Sequence, residues 1–323
     1  MTFKIVVLDD YAGVFRTAPG IGLLDGCEIV VSREPETDPL RRVDLLADAH
    51  AVILTQQRSA FPRALIERLP HLRLVSQTGS RAFHIDLDAC AERGVAVAVG
   101  GMGITYPTAE LTWALILAAL RHLPHEVQRL KQGHWLSTAG TGLRGKCLGI
   151  YACGKIGRQV ADIGRAFGMR VLCWGRGDSL VRAREAGFDV AADRAAFFAQ
   201  SDVLSLHLPL VPGTQGIVTA EDLAGMKSTA LLVNTSRSGL IQPGALVEAL
   251  KRGRPGFAAI DVYESEPVLG ADHPLLSMDN ALCTPHLGYA TTENLHHLYD
   301  GAIEQVHAFV QGRPIVAPRR EQP

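Results

Sequence analysis

Short runs of β-branched and aliphatic residues alternate with helical patterns from one end of the chain to the other, and this alternation restricts the architecture more than any other feature. A strand, a helix and a second strand in succession form a parallel βαβ unit. Units in series build parallel sheets covered by helices. In the first half the strand candidates are Ile5–Leu8, Glu28–Val31, Ala51–Leu54, Leu72–Ser76 and Val95–Val99, separated by helical stretches such as Pro62 to Leu69 and Asp86 to Arg93. They predict a small doubly wound domain over residues 1–104. In the second half Cys147–Tyr151, Arg170–Trp174, Asp202–Leu208, Ala230–Asn234, Phe257–Val262 and Ala281–Thr284 predict a six-stranded dinucleotide-binding sheet within 105–290. A helix is expected from near Pro107, with Glu110 in its first turn, to about Leu123. The last helical stretch, Thr291 to Val310, ends at Gly312-Arg313-Pro314 and is expected to return to the first domain, which then comprises 1–104 plus 291–323.

The fold class expected is therefore α/β, with two doubly wound parallel-sheet domains. At 323 residues, 47% hydrophobic and 20% charged, the chain is long enough for two full cores. Its 32 Lys and Arg against 33 Asp and Glu leave a net charge of -1, so overall charge draws it neither to nucleic acid nor to membrane. Six cysteines without a C-x-x-C pair, and histidines without paired spacing, give no expectation of a metal site and suit a reducing cytoplasm. Met1 runs straight into the strand-like Phe3 to Leu8 with no secretory pattern. The longest apolar stretch, Leu111 to Leu120, is too short for a bilayer and contains Thr112, so it is expected to be a buried helix.

The strand Cys147–Tyr151 leads into Ala152-Cys153-Gly154-Lys155-Ile156-Gly157 and then a helix through Arg158 to Phe167. This is the context in which a G-x-G-x-x-G turn holds a dinucleotide. The middle glycine lets backbone approach the pyrophosphate, the last lets helix pack on strand, and the helix N-terminus supplies N–H groups. Ala152 stands at the first glycine's position, which implies some adjustment of the turn. The bland alternative is a tight strand-to-helix connection. Where NAD enzymes carry an acid for the ribose 2′-OH, this chain has Gly175-Arg176, with Asp178 further on; positive charge there favours NADP(H) over NAD(H).

Three residues follow later strands. Arg237 comes after Ala230–Asn234, Glu266 after Phe257–Val262 and His286 after Ala281–Thr284, so all are expected at the carboxyl ends of strands, where open α/β sheets bind ligands. Reducing a 2-oxo acid needs a cation for the carboxylate and ketone and a proton for the developing alkoxide. The Arg237 guanidinium supplies a fork that grips two oxygens together. His286 is the proton donor, and Glu266 is the carboxylate that tunes it, since imidazole titrates near about 6.5 and a neighbouring acid favours its charged form. Each residue alone has an ordinary structural alternative; their joint order is what carries the reading. His207, in Ser205-Leu206-His207-Leu208-Pro209, suits a structural role at the border of the cofactor site.

At these residues the chain resembles the D-isomer-specific 2-hydroxyacid dehydrogenases, over almost its whole length. Asn234-Thr235-Ser236-Arg237, Asp261-Val262-Tyr263-Glu264-Ser265-Glu266-Pro267 and Thr284-Pro285-His286-Leu287-Gly288 are similar to that family's Arg, Glu and His segments. The resemblance implies a flavodoxin-like substrate domain and a Rossmann NAD(P)-binding domain, a cleft that closes between them, and a homodimer formed through the cofactor domains. It implies cofactor contacts at Ala152, Gly154, Lys155, Ile156, Gly157, Gly175, Arg176, His207, Pro209, Thr214, Thr235, Ser236, Asp261, Gly288 and Thr108, with Asp261 near the nicotinamide carboxamide. Gln77-Thr78-Gly79-Ser80 is similar to the loop whose backbone N–H groups hold the substrate carboxylate. Arg58, after the strand Ala51–Leu54, is expected either to face the same cleft or to be a surface residue.

Departures accompany the match. Arg81-Ala82-Phe83-His84 replaces a short Gly-x-Asp-Asn run, Ser238 a glycine and Gln242 an acid. Glu266 separates the chain from the formate dehydrogenase branch, which has Gln there, and the end at residue 323 leaves no room for the regulatory domain of many phosphoglycerate dehydrogenases. The activity implied is reduction of a small 2-oxo acid, glyoxylate, hydroxypyruvate or a larger one, to a D-2-hydroxy acid. The alternative is a cofactor-sensing interaction protein of the corepressor type, which shares the fold but has little or no turnover.

Overall fold

The computed structural model describes residues 2–319; Met1 and the last four positions of the expected 291–323 segment lie outside the described residues. The chain divides into two compact units, Met1–Ile104 with Ala290–Pro323, and Thr105–Tyr289. In the first, β1 (Lys4–Leu8), β2 (Glu28–Val31), β3 (Ala51–Leu54), β4 (Leu74–Gln77) and β5 (Ala96–Val99) form a parallel sheet in the order β2-β1-β3-β4-β5. The order reverses between β1 and β3, the switch point where a flavodoxin-like sheet opens a crevice at its carboxyl ends. Every residue of β3 is buried, which is why it reads as an unbroken apolar run instead of an alternating one.

One face of this sheet packs Val6, Leu8, Val52, Leu54 and Val75 against Phe61, Ile66 and Leu69. The other is covered by the helix Thr292–Val310, which buries Tyr299, Ala302, Ile303 and Val306. That helix sits close because glycines meet: a methyl on Gly301 would collide with the Gly100 carbonyl. The Ser76 hydroxyl donates to the Ala302 carbonyl at 2.9 Å. Past the helix, the chain runs beside β5, whose Val99 N–H donates to the Val316 carbonyl at 2.9 Å.

The second unit holds β6 (Cys147–Tyr151), β7 (Arg170–Trp174), β8 (Asp189–Val190), β9 (Val203–Leu206), β10 (Leu231–Asn234), β11 (Phe257–Ile260) and β12 (Ala281–Cys283). All pair in parallel in the order β12-β11-β10-β9-β6-β7-β8. Counted from β6, this is the dinucleotide-fold order 3-2-1-4-5-6 with a seventh strand added, and its switch point lies between β6 and β9. Two apolar layers sandwich the sheet, one around Phe197, Leu206, Leu232 and Leu250, the other around Trp113, Ile150, Val171 and Val233.

Three expectations need correction. The sheet has seven strands where the sequence predicted six, because β8 is two residues long and shows no period to read. The helix Tyr106–Leu120 begins one residue before Pro107, which puts Glu110 beyond its first turn, and it stops short of Leu123 because His122 adopts a left-handed φ of 51° and starts a second helix, Leu123–Lys131. Thr112 inside the apolar stretch is buried with its hydroxyl satisfied by the Thr108 carbonyl at 2.7 Å and the Thr235 hydroxyl at 2.8 Å. No helix among the described residues is long and apolar enough to cross a membrane.

Candidate active site

The loops after β11 and β12 bring His286 and Glu266 together. His286 Nδ1 lies 2.6 Å from Glu266 Oε2, and both side chains are about four-fifths buried, with 21% and 20% exposed. The other oxygen of Glu266 accepts the Tyr263 N–H at 2.9 Å, so the carboxylate is held at both ends. His286 has a φ of 52°, a left-handed conformation that costs a non-glycine residue roughly 1 kcal/mol or more and persists only where the surroundings enforce it.

Asp261 does the enforcing. Fully buried at the end of β11, it takes three hydrogen bonds from the turn that carries His286: Oδ1 accepts from the Thr284 hydroxyl at 2.6 Å and the Leu287 N–H at 2.7 Å, and Oδ2 accepts from the Gly288 N–H at 2.8 Å. Burial pushes its pKa up, while those three donors and the charge of His286 pull it down. Gly288 is further held by its carbonyl, which accepts from the Thr108 hydroxyl at 2.8 Å. The Tyr263 hydroxyl donates to the Thr284 carbonyl at 3.0 Å.

Arg237 stands at the same end of the sheet, exposed after β10, with Nη1 donating to the Ser236 carbonyl at 2.6 Å. Asn234 braces this loop from both sides, accepting the Ser236 N–H at 3.0 Å and donating to the Arg237 carbonyl at 2.9 Å. Ser236 donates its hydroxyl to the Leu208 carbonyl at 2.6 Å, and Thr235 turns inward to Thr112. His207 bonds through Nε2 to the Ser205 hydroxyl at 2.9 Å, and burial pushes its pKa down to about 4, so it is a neutral ring at neutral pH. Beyond Pro209, the Thr214 hydroxyl donates to the Pro209 carbonyl at 2.6 Å and closes that turn.

The glycine-rich turn fits a dinucleotide on its own geometry. A methyl on Gly154 would point into open space, leaving its backbone approachable, whereas one on Gly157 would collide with the Ala152 carbonyl. The helix Lys155–Ala166 starts directly at Gly154 without a side-chain cap, so its first N–H groups face outward, with Lys155 exposed and Ile156 partly buried. Ala152 takes up the missing glycine's conformation, with φ at 76°. The helix Asp178–Glu185 braces the turn: the Cys153 N–H donates to the Ser179 hydroxyl at 2.8 Å and Arg182 Nε donates to the Cys153 carbonyl at 3.0 Å. Gly175 is packed against Ser179, where a side chain would press on its hydroxyl, and the Arg176 guanidinium reaches the Pro212–Thr214 turn, 3.8 Å from where a methyl on Gly213 would lie.

In the first unit, Thr78, Gly79 and Ser80 follow β4, and Arg58 follows β3. The Thr78 hydroxyl accepts the Gln56 N–H at 2.8 Å, tying the two loops together, while the N–H groups of Gly79 and Ser80 meet no backbone acceptor among the described residues. Arg58 and Arg42 contribute charge at Asp9, the buried acid after β1, whose pKa burial pushes up against the Ser59 and Tyr11 hydroxyls and both cations.

Sequence reasoning missed the bracing groups Tyr263, Thr284, Asn234, Ser179 and Arg182. Tyr263, Thr284 and Asn234 lie inside motifs already singled out, so their positions were in view and only their hydrogen bonds were not.

Comparison with known proteins points the same way as this geometry. The family signature described as D-isomer specific 2-hydroxyacid dehydrogenase, NAD binding domain, matches residues 113–288. The glyoxylate reductase of Aeropyrum pernix is 37% identical over 83% of this chain and 81% of its own length. The hydroxypyruvate reductase of Blautia hydrogenotrophica is 33% identical over 97% of this chain and 98% of its own. Among solved structures, the phosphoglycerate oxidoreductase of Vibrio cholerae superposes with a TM-score of 0.92 at 42% identity, covering 96% of this chain and 100% of that one. This chain belongs to the D-isomer-specific 2-hydroxyacid dehydrogenase family, and its second unit carries that family's NAD-binding domain.

Proposed function

We propose that the protein reduces a small 2-oxo acid to the D-2-hydroxy acid, with His286 as proton donor and acceptor, Glu266 holding its ring and Arg237 anchoring the substrate carboxylate and carbonyl. The observation that carries this reading is the His286–Glu266 contact at 2.6 Å, in a turn bent to a left-handed φ and locked by Asp261. A nicotinamide cofactor, when bound, supplies or accepts the hydride. Because Nδ1 faces Glu266, Nε2 is the atom that exchanges the proton with the substrate oxygen. Arg237 offers its fork to the carboxylate, and the N–H groups of Gly79 and Ser80 are read as its second hold, with Arg58 nearby, whereas the Thr78 N–H is taken by the Leu54 carbonyl at 3.0 Å.

The second unit is read as the cofactor domain and the first as the substrate domain. NADP(H) is favoured over NAD(H), because Gly175-Arg176 puts a cation where a 2′-phosphate would need one and the Arg176 guanidinium lies beside the Pro212–Thr214 turn. Six free thiols suit a reducing cytoplasm. A homodimer through the second units is supported by the exposed apolar face of Leu123, Val127 and Leu130 on the helix Leu123–Lys131.

The deciding experiment follows NADPH and NADH oxidation in parallel with glyoxylate, hydroxypyruvate, pyruvate, phenylpyruvate and branched 2-oxo acids. Turnover that His286→Ala lowers by about 10²–10⁴-fold, with cofactor binding retained, is the expected outcome. Normal turnover by that variant would remove His286 from the chemistry, and preference for NADH would sink the Arg176 argument while keeping the enzyme.

A further inference from the structure

The motif that carries His286 stops at Gly288, one residue short of Tyr289. The Tyr289 ring nonetheless packs on the imidazole, with the two centroids 5.6 Å apart and the planes at 84°. Aromatic pairs prefer this edge-to-face arrangement, at centroid separations of about 4.5–7 Å. The bond to Glu266 holds the imidazole at Nδ1. The torsion about Cβ–Cγ of a histidine is broad, so a ring tethered at one atom can swing and carry Nε2 with it. Tyr289 supplies a second restraint, because a turn of the imidazole about Cβ–Cγ takes it out of the perpendicular packing.

The Tyr289 ring stands on a fixed support. Gly288, the residue before it, has both backbone polar groups taken, its N–H by Asp261 Oδ2 at 2.8 Å and its carbonyl by the Thr108 hydroxyl at 2.8 Å. The space around Gly288 is filled: a methyl there would lie 3.2 Å from Asp261 Oδ2 and 3.5 Å from Thr108 Cγ2. Both rings therefore leave one locked turn, His286 at its left-handed φ and Tyr289 three residues on. Tyr289 is only partly buried and belongs to neither apolar layer of the unit, so its ring is not there to fill the core.

We propose that Tyr289 is a positioning residue for the proton transfer: its ring holds the His286 imidazole in one orientation, so that Nε2 stays aimed at the substrate oxygen. The contact is ring on ring, so the ring and not the hydroxyl does this. The inference rests on the reading of His286 as proton donor. A general acid acts only within hydrogen-bond reach, and a displacement of about 1 Å costs about 10²-fold in rate.

The test measures the single-turnover rate of cofactor oxidation, which isolates the chemical step, and the half-saturating concentration of the 2-oxo acid that wild type reduces fastest. Tyr289→Leu removes the ring and keeps an apolar side chain. It should lower the rate about 10–100-fold, with substrate half-saturation and the cofactor dissociation constant within about threefold of wild type. Tyr289→Phe keeps the ring and should stay within about threefold in rate. In a His286→Ala background, Tyr289→Leu should cost less than about twofold, since nothing is left to position. Tyr289→Met takes the place of Tyr289→Leu if the latter does not fold. A wild-type rate in Tyr289→Leu, a loss confined to substrate half-saturation, or a loss that persists in full without His286 overturns the inference. A Tyr289→Phe variant as slow as Tyr289→Leu overturns it too and moves the role to the hydroxyl. His286→Ala tells the failures apart: normal turnover by that variant brings down the proton-donor reading and this inference with it. An inactive His286→Ala beside an unimpaired Tyr289→Leu brings down the Tyr289 inference alone.

Discussion

Six non-glycine residues among those described hold a positive φ that glycine would hold more cheaply, and two of them, His286 and Ala152, lie in the two places where chemistry is expected. His286 keeps its left-handed turn because Asp261, Thr284 and Gly288 leave it no other. Ala152 keeps φ at 76° because Gly157 packs against its carbonyl and its own N–H donates to the Trp174 carbonyl at 2.8 Å. For Ala152 the strain has no catalytic purpose. Left-handed backbone costs alanine about 1–2 kcal/mol, and glycine's extra freedom in the unfolded chain costs about 0.4–1 kcal/mol, so Ala152→Gly should stabilise the second unit by about 0.5–1 kcal/mol in urea unfolding. A loss of stability would mean that the alanine methyl earns its place by packing. At this scale the sequence displayed the residue types and their order, and His286, Glu266 and the odd alanine were all legible. The hydrogen bonds of Asp261 and Tyr263 were not, because they depend on which way two turns face.

At the scale of elements, the strands could be read because buried parallel strands are short apolar runs with helices between them, and β2, β3, β6 and β7 begin and end at the residues the pattern marks. β8 escaped because two residues carry no period. The segment Arg81-Ala82-Phe83-His84 was recognisable as irregular, but nothing in it revealed that the His84 ring is largely buried while Phe83 is 67% exposed. Burial pushes the His84 pKa down to about 4, and neither ring nitrogen has a partner among the described residues. The folded state therefore keeps the ring neutral while the unfolded chain protonates it below about pH 6.5. Stability from this group is complete above about pH 6.5 and is lost as the pH falls toward 4, by roughly 1–3 kcal/mol. His207 contributes in the same direction. Urea midpoints of wild type should thus drop between pH 7 and pH 5, and His84→Leu should show a shallower drop; parallel slopes for the two proteins would show that His84 is not held neutral.

At the scale of the whole molecule, the helix Leu123–Lys131 carries an exposed apolar face. None of its residues is buried, yet Leu123, Val127 and Leu130 fall on one face at 48%, 52% and 58% exposure, and Trp135 and Leu136 beyond it stand at 84% and 76%. A helix of nine residues is marginal in water without an apolar face to pack. The following chain is nonetheless fixed: Glu126 accepts the Ser137 and Thr138 hydroxyls at 2.7 Å each, which pulls its pKa down to about 2 and pins the segment bearing Trp135 and Leu136. An ordered apolar surface of this kind is suited to a second copy of the chain, where the same patch meets itself across a two-fold axis. Burying a large apolar side chain is worth about 1.5–3 kcal/mol, and symmetry counts each substitution twice. Trp135→Glu should therefore weaken the dimer by about 4 kcal/mol, raising its dissociation constant about 10³-fold, which sedimentation velocity at micromolar protein would register as a shift from dimer to monomer. A wild type that sediments as a monomer under the same conditions would leave this face without the partner argued for it, whereas a dimer that Trp135→Glu leaves intact would move the interface elsewhere on the second unit.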